Sequence, residues 1–282
     1  METVPADTSR PPAPAPPPAP SRVGRALMDA WTITLRDLNH WALRPGAVIV
    51  GWLFPVMTVL MFGGLFGGAI TTPGPGGYFE FLMPGMFALA MLFGLETTMM
   101  AVTTDAAKGV TDRFRSLPMS SSAVVLGRCA ADMLNSIVGL AVLAGTGLLL
   151  GWSWHEGRGS ALTALGLLLL LRFALLWAGI FIGLAASGPE AVTAVQILVW
   201  PVGFLSAVFV DPATMPAWLG AVAAWNPLSA TASAVRDLFG NPGFAGETWA
   251  AQHAGLLAVA WPVLLTAVFL PLSVRRFRRL RS

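Results

Sequence analysis

Two charged residues, Glu96 and Arg172, lie deep within long apolar runs of this 282-residue chain. An ionised group in such a run is costly enough to be a functional candidate by default. Glu96 stands about fifteen residues into its run and Arg172 about eleven into its own, counted from the same end, a depth difference of roughly 6 Å at 1.5 Å per residue that an arginine side chain covers. That spacing fits a buried ion pair; it also fits an arginine that lines an aqueous cargo path or snorkels to the interface. Asp132 and Glu190 fall near the ends of their runs and read as solvated. Other chemistry is scarce. A single cysteine, Cys129, excludes an internal disulfide and a multi-cysteine zinc site, and His40, His155 and His253 are too dispersed for metal ligation or for a serine–histidine pair. No metal and no cofactor is expected on this chain. Its only lysine, Lys108, has no G-x-x-x-x-G before it, so no Walker A loop is available to bind ATP. Energy must come from elsewhere: a separate ATPase chain using ATP and Mg, or an ion gradient.

The elements that would position these groups are membrane spans. Hydrophobic residues make up 55% of the chain and charged residues 11%, about half the charge of an average soluble domain. The apolar residues gather in blocks near the ~20 residues that cross a ~30 Å hydrocarbon slab. Six spans are predicted, at about 46–70, 81–102, 130–150, 161–186, 191–210 and 251–273, giving an all-α polytopic membrane protein. Fourteen of the seventeen basic residues fall in three groups: Arg10, Arg22, Arg25, Arg36 and Arg44 before the first span, Lys108, Arg113, Arg115 and Arg128 between the second and third, and Arg275, Arg276, Arg278, Arg279 and Arg281 after the last. Only Arg158 and Arg236 lie in the opposite set of loops. Short loops rich in Lys and Arg stay on the cytoplasmic side, so both termini are expected in the cytoplasm, with the spans in a bacterial plasma membrane. The basic groups sit beside span ends, where anionic headgroups attract them; the net charge of +3 points to a bilayer and not to nucleic acid.

Residues 1–22 are proline- and alanine-rich, without the apolar run a signal peptidase needs, and read as a disordered cytoplasmic tail. Residues 23–282 read as one transmembrane domain. From 23 to 41, Val23, Leu27, Trp31 and Leu38 recur near helical spacing while Arg22, Arg25, Asp29 and Arg36 take the other side. This is an amphipathic helix in the interface, or else an ordinary polar lead-in to the first span. Between the fifth and sixth spans, residues 211–250 are interrupted by Pro212, Pro216, Pro227 and Pro242 and read as two broken re-entrant helices. Two further spans there would leave the terminal orientation unchanged. Met83, Met86, Met91, Met99 and Met100 along the second span serve either as packing filler or as a surface adaptable to varied apolar cargo.

The segment 105–128 carries the clearest local pattern. Val110, Phe114 and Leu117 stand at i, i+4 and i+7, Asp112, Arg113 and Arg115 point elsewhere, and Pro118 stops the helix. A stubby amphipathic helix between spans suits a soluble partner that takes Phe114 into a pocket. It suits equally well a helix lying flat on headgroups.

The run KGVTDRFRSLPMSS closely resembles the corresponding loop of type-2 ABC exporter permeases, with Lys108, Gly109, Thr111, Asp112, Arg113, Arg115, Leu117, Pro118 and Ser120 taking the family's places and Val110 intervening before Thr111. Further similar stretches follow in the family's order: Arg36-Asp37-Leu38 with Arg44-Pro45, Pro55, Phe81-Leu82-Met83-Pro84-Gly85, and Asn226-Pro227-Leu228-Ser229 followed by Val235-Arg236. The resemblance covers the chain from about residue 22 onward and is most like the daunorubicin-resistance branch. It implies a permease subunit that dimerises, in the simplest case with itself. It also implies two cytoplasmic ATPase subunits bound through a coupling helix around Phe114, re-entrant outer helices carrying Asn226, Pro227 and Arg236, and hydrophobic cargo moved outward. The rival classes are a gradient-driven secondary transporter, which calls for two related halves and membrane acids on an ion route, and a polytopic membrane enzyme, which calls for clustered acids and histidines.

Overall fold

The computed structural model describes residues 22–43, 45–68, 77–107, 121–186, 189–244 and 246–279, and every regular element among them is helical. Helix α1 (Arg22–Leu43) leads to α2 (Pro45–Phe66), α3 (Tyr78–Ala107), α4 (Ser121–Leu149), α5 (Arg158–Ala185) and α6 (Pro189–Phe204). A 3-10 turn (Pro212–Thr214), α7 (Ala217–Ala224), α8 (Pro227–Phe239) and α9 (Trp249–Gln252) follow, and α10 (Ala254–Arg279) closes the chain.

Five of these, α2 to α5 and α10, are long and apolar enough to cross a membrane. The fifth predicted span, 191–210, is met by α6, whose 16 residues fall short of the ~20 a crossing needs. The cause is local: the chain leaves the helix after Phe204, and side chains of α8 take up the carbonyls it frees. Helices α7 and α8 have 8 and 13 residues, too few for either to be a further span. The tail, residues 1–21, and the segment 108–120 with the expected coupling helix lie outside the described residues.

Helix α3 is the centre of the bundle. Of its apolar window 83% is buried inside the molecule, against 28% for α2 and 17% for both α4 and α10, so the latter three present their apolar sides outward. Around α3 pack α2, α4, α5, α6 and α8. Four of the five methionines noted above, Met83, Met86, Met91 and Met99, are buried in this core, which assigns them to packing; Met100 alone is largely exposed. Met83 reaches across to α4, where a Cβ on Gly147 would come 2.5 Å from its terminal methyl.

The α3–α5 contact depends on glycine. Gly179 and Gly183, four apart and so on one face, let the backbones touch: a Cβ on Gly179 would stand 2.8 Å from the Leu95 carbonyl oxygen, and one on Gly183 would stand 3.0 Å from that of Met99. Small residues at this spacing serve close helix packing in membranes. Gly179→Ala is expected to cost about 1–3 kcal/mol through overpacking, read as a fall in the unfolding midpoint in detergent. Gly166→Ala, on the same helix with open space around it, should leave that midpoint in place.

Helix α1 crosses α4 at Gly127, where a Cβ would strike the Ala30 carbonyl and where the Thr34 hydroxyl donates to the Gly127 carbonyl at 3.0 Å. Ala30, Ile33 and Thr34 are buried by this crossing, and Leu27, Met28 and Trp31 face outward. Side-chain pairs fix the helix directions. Thr98 with Asp132 and Asp105 with Arg128 run α3 and α4 antiparallel, whereas Leu95 beside Gly179 and Met99 beside Gly183 run α3 and α5 parallel. The 150–157 hairpin and the described residues of 205–253 therefore share one end of the bundle, and the end of α3, the start of α4 and the end of α10 share the other.

Candidate functional site

Two arginines are sealed inside the bundle, and each is held by a different chemistry. Arg172 on α5 is 2% exposed. Its Nε donates to the Ser136 hydroxyl at 2.7 Å and its Nη2 to the Thr98 hydroxyl at 2.8 Å. Thr98 in turn donates to Asp132 Oδ2 at 2.9 Å, and that carboxylate lies 3.9 Å from Nη2. Asp132 and Ser136 are four apart on α4, and Gly94 and Thr98 four apart on α3, so each helix presents one edge to the guanidinium. Gly94 makes the room, since a Cβ there would stand 2.5 Å from Nε. The result is a polar junction of three helices in which Nη1 keeps no hydrogen-bond partner.

The Glu96–Arg172 pair that the depths allowed does not form. Glu96 is two residues from both Gly94 and Thr98, which at 100° per residue turns it to the far side of α3; its Oε1 is buried and unpartnered. Asp132, read from sequence as solvated, is the acid that pairs. The error lies in the helix boundary. With α4 starting at Ser121 and not near residue 130, Asp132 sits about three turns inside the helix. Arg128 continues the same stripe of α4, one turn toward the helix start, and forms an ion pair with Asp105 of α3. This second pair ties together the two helices that flank the segment 108–120.

Arg236 on α8 is fully buried. Its three nitrogens donate to backbone carbonyls: Nε to Phe81 at 3.1 Å, Nη1 to Ala207 at 2.6 Å and Nη2 to Val208 at 2.8 Å. The guanidinium also lies 4.5 Å from the centroid of the Phe81 ring. Asn226 works at the other end of α8: its Oδ1 caps the Leu228 N–H at 2.9 Å, Pro227 occupies the first turn, and its Nδ2 donates to the Val202 and Leu205 carbonyls at 2.9 and 2.7 Å. Asn226 and Arg236 thus satisfy the backbone where α6 unwinds, which is the condition for irregular chain at membrane depth. Gly85 of α3 leaves the space, its hypothetical Cβ standing 3.1 Å from Arg236 Nη2.

A polar cap at the same end escaped sequence reasoning. Trp152 Nε1 donates to Asn241 Oδ1 at 2.8 Å, Asn241 Nδ2 to the Ser153 carbonyl at 2.8 Å, and His155 meets Glu80 at 2.9 Å. These residues lie far apart in the chain and share no motif. The coupling-loop residues Lys108, Gly109, Thr111, Asp112, Arg113, Phe114, Arg115, Leu117 and Pro118 lie outside the described residues.

Apolar helices of spanning length, closed around buried cations that join helix to helix, define a multi-pass membrane protein. Residues 28–239 match the ABC-2 type transporter family. The chain is 36% identical over 264 residues, 92% of its own length and 90% of the relative's, to the daunorubicin resistance ABC transporter permease protein DrrB1 of Streptomyces coeruleorubidus. The chain belongs to the ABC-2 type transporter family. It is a permease subunit of a transporter and not an enzyme, and the family implies an ABC ATPase as its partner.

Proposed function

We propose that this chain is the membrane half of an ATP-driven exporter that moves a hydrophobic drug-like, polyketide or lipid substrate out of the cell. The observation that carries the reading is the 36% identity to a daunorubicin resistance permease along 92% of the chain. Residues 23–282 act as one transmembrane domain, and α6 counts as the fifth of six crossings, completed by the clamped chain that follows it. The grouping of the basic residues supports both termini on the cytoplasmic side of the plasma membrane. Two copies of the chain surround the path, and two ABC ATPase subunits bind ATP and Mg, with no cofactor held by the permease. The segment 211–250 dips into the outer leaflet as re-entrant helices.

Closure of the ATPase pair pushes on the segment around Phe114. The Asp105–Arg128 pair and the Arg172 junction bind α3, α4 and α5 together, which supports their rocking as one body when that segment moves. Phe114→Asp is expected to leave membrane insertion unchanged and to cut co-purification of the ATPase subunit by about thirtyfold, the loss typical of an aromatic anchor removed from its pocket. Unchanged recruitment together with unchanged export would rule out this segment as the docking point.

A further inference from the structure

We infer that the cavity where α1, α3, α4, α5 and α10 meet is a binding site for an anionic phospholipid, held as part of the assembled fold and not as cargo. Its walls are apolar: Ile33 of α1, Val102 of α3, Val125 of α4, Ile180 and Leu184 of α5 and Phe277 of α10. The cavity measures about 50 Å³. At roughly 10–15 Å³ for each water-sized group, it has room for a headgroup phosphate and little more. A drug-sized guest is excluded, and the acyl chains stay in the bilayer.

One wall residue carries an unmet hydrogen-bond donor. Arg128 lines the cavity, and its Nε is buried with no hydrogen-bond partner among the described residues; its Nη1 is engaged by Asp105. A buried donor without an acceptor is costly, and a phosphate oxygen is a strong acceptor for a guanidinium. The acids nearby are already occupied. Asp37, also in the lining, accepts from Arg36 at 3.0 and 2.7 Å, and Asp132, one turn deeper on α4, is held by Thr98 and Arg172. Cations outnumber these acids at the rim. Arg275 and Arg276 are exposed on the end of α10 beside Phe277, and Arg276 Nε lies 3.5 Å from the Leu184 carbonyl, which brings that guanidinium to the cavity's edge. Four arginines thus gather around the two carboxylates of the lining, and such a basic pocket between helices at a membrane surface attracts an anionic headgroup. The apolar walls decide against a free ion, which would shed its water there without return; a phosphodiester brings its own hydrocarbon. Bound in this place, the lipid touches both the amphipathic α1 and the end of α10 and braces them against the α3–α4–α5 body.

The test uses the purified full-length chain in detergent, without ATPase, so that its outcome does not depend on export. Native mass spectrometry counts the lipids retained as phosphatidylglycerol or phosphatidylcholine is titrated. One phosphatidylglycerol per chain is expected at concentrations at least fivefold below those phosphatidylcholine needs. Arg275→Gln with Arg276→Gln should bring that ratio below twofold, and Arg158→Gln, at the opposite end of the bundle, should leave it in place. Leu184→Trp fills the cavity while keeping every charge, so it should abolish retention. Because that variant can fail to fold, a phosphatidylglycerol with a diazirine beside its glycerol is also photolysed on the wild-type protein, where the label should fall on the peptides containing Leu184 and Phe277. Equal retention of the two lipids, a preference that survives in folded Leu184→Trp, displacement of the lipid by inorganic phosphate, or labelling confined to other helices would each overturn the assignment.

Discussion

Arg172→Met is expected to lose much of the folded protein, a loss on the order of 3 kcal/mol, because it strands the half-buried Asp132 carboxylate and the Ser136 and Thr98 hydroxyls that the guanidinium joins across three helices. The measurement is the midpoint and yield of the solubilised protein on a sizing column over a heat ramp. Arg172→Lys should recover only part of the loss. A lysine ammonium is a point charge, whereas the guanidinium fork reaches Ser136 and Thr98 on two different helices at once. Arg172→Met combined with Asp132→Leu should be more stable than Arg172→Met alone, since replacing both members of a buried pair by apolar groups removes the stranded charge. Glu96→Gln is the discriminating control: its carboxylate makes no contact with the junction, and neutralising an acid whose buried oxygen has no partner should not destabilise the protein. If Glu96→Gln were as damaging as Arg172→Met, the pairing drawn here would be the wrong one.

The pairing also shows how far the sequence could be read. That Arg172 was a candidate for pairing followed from its place in an apolar run, beside the readings of a path-lining or snorkelling arginine. Which acid pairs with it depended on helical phase and helix start. Glu96 has the right depth but the wrong phase relative to Gly94 and Thr98, and Asp132 has the right phase but stood at the very start of the expected span, about three turns short of its true place in a helix that begins at Ser121. Hydropathy marks where side chains become lipid-compatible; it does not mark where the backbone begins to coil, and the polar first turns of α4 are invisible to it. The same limit applies at α6. The apolar run to Val210 reads as one span, yet its last residues are non-helical, held by hydrogen bonds from Asn226 and Arg236 some 21 to 29 positions later. The broken character of 211–250 was legible because proline acts locally. The cap of Trp152, Asn241, Glu80 and His155 was not, because its members meet only after α3, α5 and α8 have packed.

Removing Arg236 is expected to damage one end of the bundle and spare the other. Arg236→Met leaves the carbonyls of Phe81, Ala207 and Val208 without their donors, and a buried unsatisfied acceptor costs about 1–3 kcal/mol. The cost falls on the chain after α6, which has no helical hydrogen bonds to fall back on, so the segment 205–211 and the helices it anchors should loosen first. The α3–α4–α5 junction around Arg172 shares no residue with this clamp, and distant sites of this kind act independently. Hydrogen exchange on the solubilised protein should therefore show lost protection across 205–244 with α4 and the second half of α5 unchanged. Arg236→Lys, able to reach at most part of the three carbonyls from a single ammonium, should fall between wild type and Arg236→Met. Gly85→Ala should copy the pattern more weakly by crowding the guanidinium, its new Cβ 3.1 Å from Nη2. A uniform loss of protection along the whole chain would mean that Arg236 secures global stability and not the unwound end of α6, and the clamp would then have to be reassigned.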